Sequence, residues 1–242
     1  MPPHGLLLRF VVFLLLLICP GRSGHAQKKK APQGGRLAVV IDDRLAALRL
    51  SPQLTGSLIR RLGRGRLVAV RGRNINKDGI VFLFVNVSSR THGWIQKEAL
   101  ASPTQRGDDE RLLRIIGASP SEYEKISLAR IFLEYFSRSP LRSQVLLIMG
   151  DTAAAVAAPL SKGAAKQLEK RVTEVSDESV YLNYSGLDRY NRLGVKFFFD
   201  SQRRELHYDG WAWREILRAH PKSPAAEVAR TKLGELASRL RQ

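Results

Sequence analysis

The chain has 242 residues, 44% hydrophobic and 26% charged, enough for one large or two modest globular domains and unlike the composition of a disordered chain. Its 40 Lys and Arg outnumber 22 Asp and Glu, giving a net charge of +18 that directs it toward anionic partners. The single cysteine, Cys19, lies within the first 26 residues, so the rest has no thiol for a disulfide, a nucleophile or a thiolate metal site.

Residues 1–26 read as a secretory signal. Arg9 lies in a short leading region, Phe10 to Ile18 is an apolar run, and Gly24-His25-Ala26 is a small-residue stop before the cut. The run is shorter than the about 20 residues of a membrane span, which leaves an uncleaved N-terminal anchor as the alternative. Export removes Arg9 and Arg22 and leaves +16. It also moves the expected partner from nucleic acid to anionic phospholipid surfaces, acidic wall polymers or acidic proteins, with no specific nucleic acid. Lys28-Lys29-Lys30 and "RRLGRGR" (60–66) are the two dense cationic patches. Residues 27–36, "QKKKAPQGGR", read as a basic flexible linker.

From Leu37 to Ser102 the signals are of β type. "LAVVI" and "RLVAVRG" are short apolar runs, "NINKDG" is a turn with a strong hairpin signal at Asp78-Gly79, "IVFLFVNV" is rich in β-branched and aromatic residues, and "GWI" is a final short strand. Several short strands with Gly-rich turns suggest a small barrel. Gly93 would admit a close backbone approach and Trp94 would close the barrel or form part of a groove. His92 reads as an exposed residue.

The order "ALRLSPQLTGSLIRRLGRGRLVAVRGR", a strand, then "RTHGWIQKEAL" resembles a bacterial SH3-type (SH3b) domain over about residues 37–102. The carriers are "LR", "SP" followed by a Gly, a basic Leu-x-x-Gly turn, the Gly-Trp-Ile step and the Leu after it. The chain departs from that pattern at Ile80-Val81-Phe82, where the family often has Trp or Tyr. The resemblance implies a groove for cell-wall peptide or an envelope protein. Its expected ligand-binding residues are Trp94 with Phe82 or Phe84, and Arg60, Arg61 and Arg64 drawing in acidic groups. Alternate strand residues point to opposite sides, so not all of these can share one face.

At "TQRGDDERLL" the pattern turns helical, with Asp108 expected to cap a first turn and the acidic cluster suited to a helix start. In "SPSEYEKISLARIFLEYF" the spacing predicts Ser119 as N-cap, Pro120 at the first helical position and Glu122 completing a capping box, ahead of a well-buried helix. "FSRSPLRSQVLLIMGDTAAAV" (136–156) and "HPKSPAAEVARTKLGELASRL" (220–240) echo one another at an offset of 84. Ser139, Pro140 and Gly150 match Ser223, Pro224 and Gly234, and each copy follows a helix rich in large residues. In both, Ser caps and Pro starts a helix whose internal Gly suggests close helix–helix approach. These units resemble tetratricopeptide-like repeats of envelope proteins. Residues 108–242 are thus expected to form an α-helical, repeat-like domain, with an irregular insertion near 160–208 whose "VKFFFDSQRRELHYDG" is either a hairpin or a helix edge.

Histidines 92, 207 and 220 have no metal-type spacing, and no nucleophile elbow, phosphate loop or dinucleotide fingerprint occurs. Asp200 and Asp209 flank an aromatic stretch, either lining a pocket or capping helices. The expectation is a multi-domain, non-enzymatic exported binding protein without cofactor or metal: a small all-β SH3-like barrel followed by a helical scaffold. The alternatives are an envelope assembly scaffold with a purely structural barrel, and a wall hydrolase in which distant carboxylates converge.

Overall fold

The computed structural model describes residues 32–170 and 176–241. The expected leader, and the linker as far as residue 31, lie outside the described residues. The N-terminal half is a seven-stranded antiparallel sheet: β1 (Arg36–Val40), β2 (Ala47–Arg49), β3 (Leu58–Arg61), β4 (Leu67–Ile75), β5 (Val81–Asn86), β6 (His92–Gln96) and β7 (Leu100–Ala101). Its order is β3-β2-β6-β5-β4-β1-β7, with β3 and β7 at the two edges, so the ladder does not close on itself.

The apolar run at β1 is continuous because both of its faces are covered. Ala38 and Val40 join Leu48, Val68, Val85 and Ile95 in the core enclosed by the sheet. Val39 and Ile41 point the other way, into the core of the helical half, together with Leu67 and Ala101. The β4–β5 hairpin turns where Asp78-Gly79 predicts it, with Gly79 at φ +76° and the Asn76 Oδ1 accepting from the main-chain N–H of Asp78 at 3.0 Å and Ile80 at 2.8 Å.

The helical half contains α1 (Asp108–Ala118), α2 (Glu122–Tyr135), α3 (Arg142–Glu169), α4 (Asp177–Leu182), α5 (Ser185–Asn191), the hairpin β8 (Phe197–Asp200) and β9 (Glu205–Tyr208), α6 (Trp211–Ala219) and α7 (Pro224–Arg239). The chain is therefore a β part followed by an α part. Helices α1, α2, α3, α6 and α7 pack in that order, and β9 lies along α3. By length and composition α3 could cross a membrane, with mean hydropathy 1.4 in its most apolar window, yet half of that window is buried under its neighbours, as in a core helix.

Several local expectations are corrected. Ser121, not Ser119, caps α2, accepting from Glu124 N–H at 3.5 Å, and Pro120 precedes the helix. Ser119 instead closes α1, its hydroxyl donating to the Ile115 carbonyl at 2.9 Å. Asp108 is the first residue of α1 behind Gly107, which takes the left-handed cap position at φ +80°. The helix after Pro140 begins at Arg142, and Ser139 donates to Asp109 Oδ2 at 2.8 Å while accepting from Leu141 N–H at 3.2 Å. Ser223 and Pro224 do hold the N-cap and first helical positions of α7. The region expected to start an insertion near 160 continues α3 through Pro159 to Glu169, and "VKFFFDSQRRELHYDG" is a hairpin.

The internal glycines of the two echoes differ. A Cβ at Gly150 would meet the Trp213 indole Nε1 at 2.5 Å, so α3 and α6 do approach closely there. Gly234 is exposed and a Cβ there meets nothing within 4 Å, so the glycine of the second copy does not mark a close helix–helix approach.

Polar ties join the two halves. Ser102 donates its hydroxyl to the Leu37 carbonyl at 2.6 Å and its main-chain N–H to Asp108 Oδ2 at 2.8 Å. Arg111, held by Asp108, donates to the Leu100 carbonyl, and Arg64 reaches Glu124 on α2 at 2.5 Å. The described residues accordingly belong to one compact unit.

Candidate functional site

In an antiparallel ladder, residues directly opposite one another project from the same face. One row can therefore be followed across five strands: Leu58 opposite Arg49, Arg49 opposite Trp94, Trp94 opposite Phe84, and Phe84 opposite Gly72. Its reverse side is the buried core of Leu83, Val85 and Ile95, so the row faces outward. The Phe84 and Trp94 rings meet edge to face with centroids 5.2 Å apart, and the His92 ring lies 5.7 Å from Phe84. Both large aromatics are half-buried, Leu58 is 53% exposed, and Gly72 ends the row without a side chain.

The Gly-Trp-Ile step is explained by what crosses it. A Cβ on Gly93 would sit 2.7 Å from the Arg49 carbonyl oxygen and 2.9 Å from Ile59 Cδ1, so only glycine lets β2 and β3 lie this close to β6. That approach places Arg49 beside Trp94, where its guanidinium donates to the Gly56 carbonyl at 2.7 Å. The result is an outward aromatic pair with Arg49 opposite Trp94 in the register and its guanidinium held by the Gly56 carbonyl.

The six expected ligand residues separate. Phe84 and Trp94 come together in the row. Phe82 lies on the same face but is 0% exposed, so its ring is a core residue and no ligand reaches it. Arg60 and Arg61 are exposed on the edge strand β3, Arg61 donating to the Arg44 carbonyl at 3.2 Å. Arg64 is not a ligand residue: it is mostly buried between Glu124, Asp43 and the Ile41 carbonyl at 2.5, 3.6 and 3.1 Å, where it fastens the sheet to α2. Arg49, Leu58 and Gly72 share the row without being expected there, because their neighbours in it are remote in sequence; the "LR" at 48–49 marks Arg49 alone.

A second concavity of about 320 Å³ lies among α3, β9, α6 and α7, lined by Asp151, His207, Trp213 and Arg239 among others. Some of its polar groups are engaged internally, whereas the buried His207 Nε2 has no hydrogen-bond partner among the described residues, Asp200 Oδ2 lying 3.6 Å away. Trp213 Nε1 donates to Asp151 Oδ1 at 3.1 Å, and the Tyr208 hydroxyl, its pKa pushed up by burial, accepts from Ala212 N–H at 2.7 Å. Asp200 and Asp209 do not line it. Asp200 accepts from Gln202 and Arg203 N–H at the hairpin loop, and Asp209 from Trp211 N–H ahead of α6. Among the described residues no three His, Cys, Asp or Glu side chains cluster as metal ligands.

No protein-family model, curated protein or solved structure matches the chain.

Proposed function

We propose that this is an exported, non-enzymatic binding protein whose SH3-type sheet takes an extended acidic peptide, of the cell wall or of an envelope protein, and whose tetratricopeptide-like helical half serves as scaffold. The observation that carries the reading is the outward row Leu58–Arg49–Trp94–Phe84–Gly72, an apolar and cationic track crossing five strands. A peptide lying along it stacks on the Trp94 and Phe84 rings and presents a carboxylate to Arg49, with Arg60 and Arg61 at the rim. The long-range charge of +16 draws the ligand in, whereas the row gives selectivity.

Sedimentation with isolated peptidoglycan sacculi at low and high salt tests this. The expectation is retention of residues 27–242 that survives high salt and falls about tenfold or more in Trp94→Ala, the usual loss on truncating an aromatic anchor. Retention lost at high salt in wild type and variant alike would leave charge as the whole cause.

The scaffold reading, with the sheet purely structural, is favoured by Trp211, Val228 and Leu240, exposed at 40–42% on α6, α7 and the residue that ends α7. It predicts that an envelope protein binds residues 108–242 and is indifferent to Trp94→Ala.

A further inference from the structure

Nine large apolar side chains are exposed among the described residues, and five of them, Leu50, Leu54, Leu58, Ile59 and Ile75, belong to two hairpins of the sheet. Leu50 N–H donates to the Ser57 carbonyl at 3.0 Å, which closes the base of the β2–β3 loop that carries Leu54; Leu58 lies on the outward row opposite Arg49, and Ile59 turns toward Gly93. That loop then reaches the tip of the β4–β5 hairpin, where Leu54 and Ile75 line a common cleft of about 390 Å³ with Pro52 and Lys77. Leu50 is 69% exposed, Leu58 53% and Ile75 55%, more than the side chains of a closed core leave in water.

The charge of the sheet segment that carries these loops is one-sided. Between Asp43 and Glu98 the chain carries eleven Lys and Arg and a single acidic residue, Asp78. Arg60, Arg61, Arg73 and Lys77 are all exposed. Asp78 is partly occupied at home, accepting from Asn76 Nδ2 at 3.0 Å. A polyanion would use the cations alone and gain nothing from the Leu50, Leu54 and Ile75 side chains in water. An anionic bilayer surface uses both, since its headgroups take the cations and its acyl boundary takes the apolar side chains.

We infer that the β2–β3 loop and the β4–β5 tip form a membrane-docking surface for anionic phospholipid, inserting Leu50, Leu54 and Ile75 at the headgroup level while Arg60, Arg61 and Lys77 contact phosphate. This surface adjoins the peptide row at Leu58 but is independent of Trp94 and Phe84, so the two activities are separable by mutation.

The test is co-sedimentation of residues 27–242, which contain the whole compact unit, with phosphatidylglycerol-containing vesicles and with pure phosphatidylcholine vesicles. The expected result is binding to the anionic vesicles only, weakened by salt and weakened at least about tenfold by Leu54→Ser with Ile75→Ser, whose side chains would otherwise leave water. Binding unchanged by the double substitution, or no binding to either vesicle, overturns the proposal. A second readout does not depend on how the double variant folds. The segment has no cysteine, so an environment-sensitive dye can be placed at Leu54→Cys and, as control, at Glu227→Cys on α7. A blue shift on anionic vesicles at position 54 alone supports docking through the tip; equal shifts at both positions, or none, overturn it.

Discussion

Gly150 and Gly234 occupy equivalent places in the two echoed helices, and replacing each with alanine should have opposite effects. At both, alanine gains about 1 kcal/mol of helix propensity. At Gly150 the added Cβ would meet Trp213 Nε1 at 2.5 Å and Cδ1 at 2.8 Å, and Trp213 is only 4% exposed, so the ring has nowhere to retreat. Overpacking of this kind costs about 1–3 kcal/mol. Displacing the indole also endangers its hydrogen bond to Asp151 at 3.1 Å, and a bond to a charged group is worth about 1.5–3 kcal/mol. With the hydrogen bond lost, the net expectation for Gly150→Ala is a loss of about 1.5–5 kcal/mol after the propensity gain is subtracted. For a unit of this size that lowers the melting temperature by at least about 3 °C. Gly234→Ala meets nothing and should raise stability by about 0.5–1 kcal/mol. Thermal unfolding of residues 27–242 followed by circular dichroism reads both. A Gly150→Ala variant as stable as wild type, or a destabilised Gly234→Ala, would refute the reasoning.

Gly93 is buried, and Gly93→Ala should be poorly tolerated because the clash is with the Arg49 carbonyl oxygen at 2.7 Å and backbone cannot rotate away; urea unfolding should show a loss of about 1–3 kcal/mol. Arg64→Ala should destabilise by a similar amount, about 1–3 kcal/mol, by stranding Glu124, and should leave binding to sacculi at high salt unchanged. Acid should destabilise the fold. Main-chain and side-chain donors of Arg203 hold Asp200 below its ordinary pKa, and the Arg218 guanidinium does the same for Glu215. A depressed folded-state pKa contributes stability above the unfolded values of about 4 and removes it as pH falls through the lower folded values. Melting temperature measured against pH should therefore decline below about pH 4; a rise on acidification would contradict the assignment.

Strands with a buried face were legible in the sequence. β1, β4, β5 and β6 announced themselves through β-branched and aromatic runs, and the Asp78-Gly79 turn through its chemistry. β3, "LIRR", was not, because all four residues are exposed on an edge and carry no alternation of burial. β2 is three residues long and β7 two, too short for any pattern. The α2 start was displaced by two residues because Ser119 and Ser121 both suit a cap, and Ser119 is taken by the end of α1. The expected irregular insertion near 160 is helical at its start because α2, α6 and β9 pack against α3, which continues through Pro159. At the site, Trp94 and Phe84 were legible as aromatics on alternating positions. Arg64 was misassigned because its partner, Glu124, lies 60 residues away, and Phe82 because which residues cover an outer face is settled only in three dimensions.

The central claim is that the outward sheet row is the ligand surface. Of the chain's three tryptophans, only Trp94 lies in the sheet; Trp211 and Trp213 are on α6. Titrating nitrogen-15-labelled residues 27–242 with soluble wall peptide and following the three indole N–H signals tests it directly. The account predicts that the Trp94 signal shifts with saturation while the other two stay in place. Movement of the α6 signals with Trp94 unchanged would contradict it.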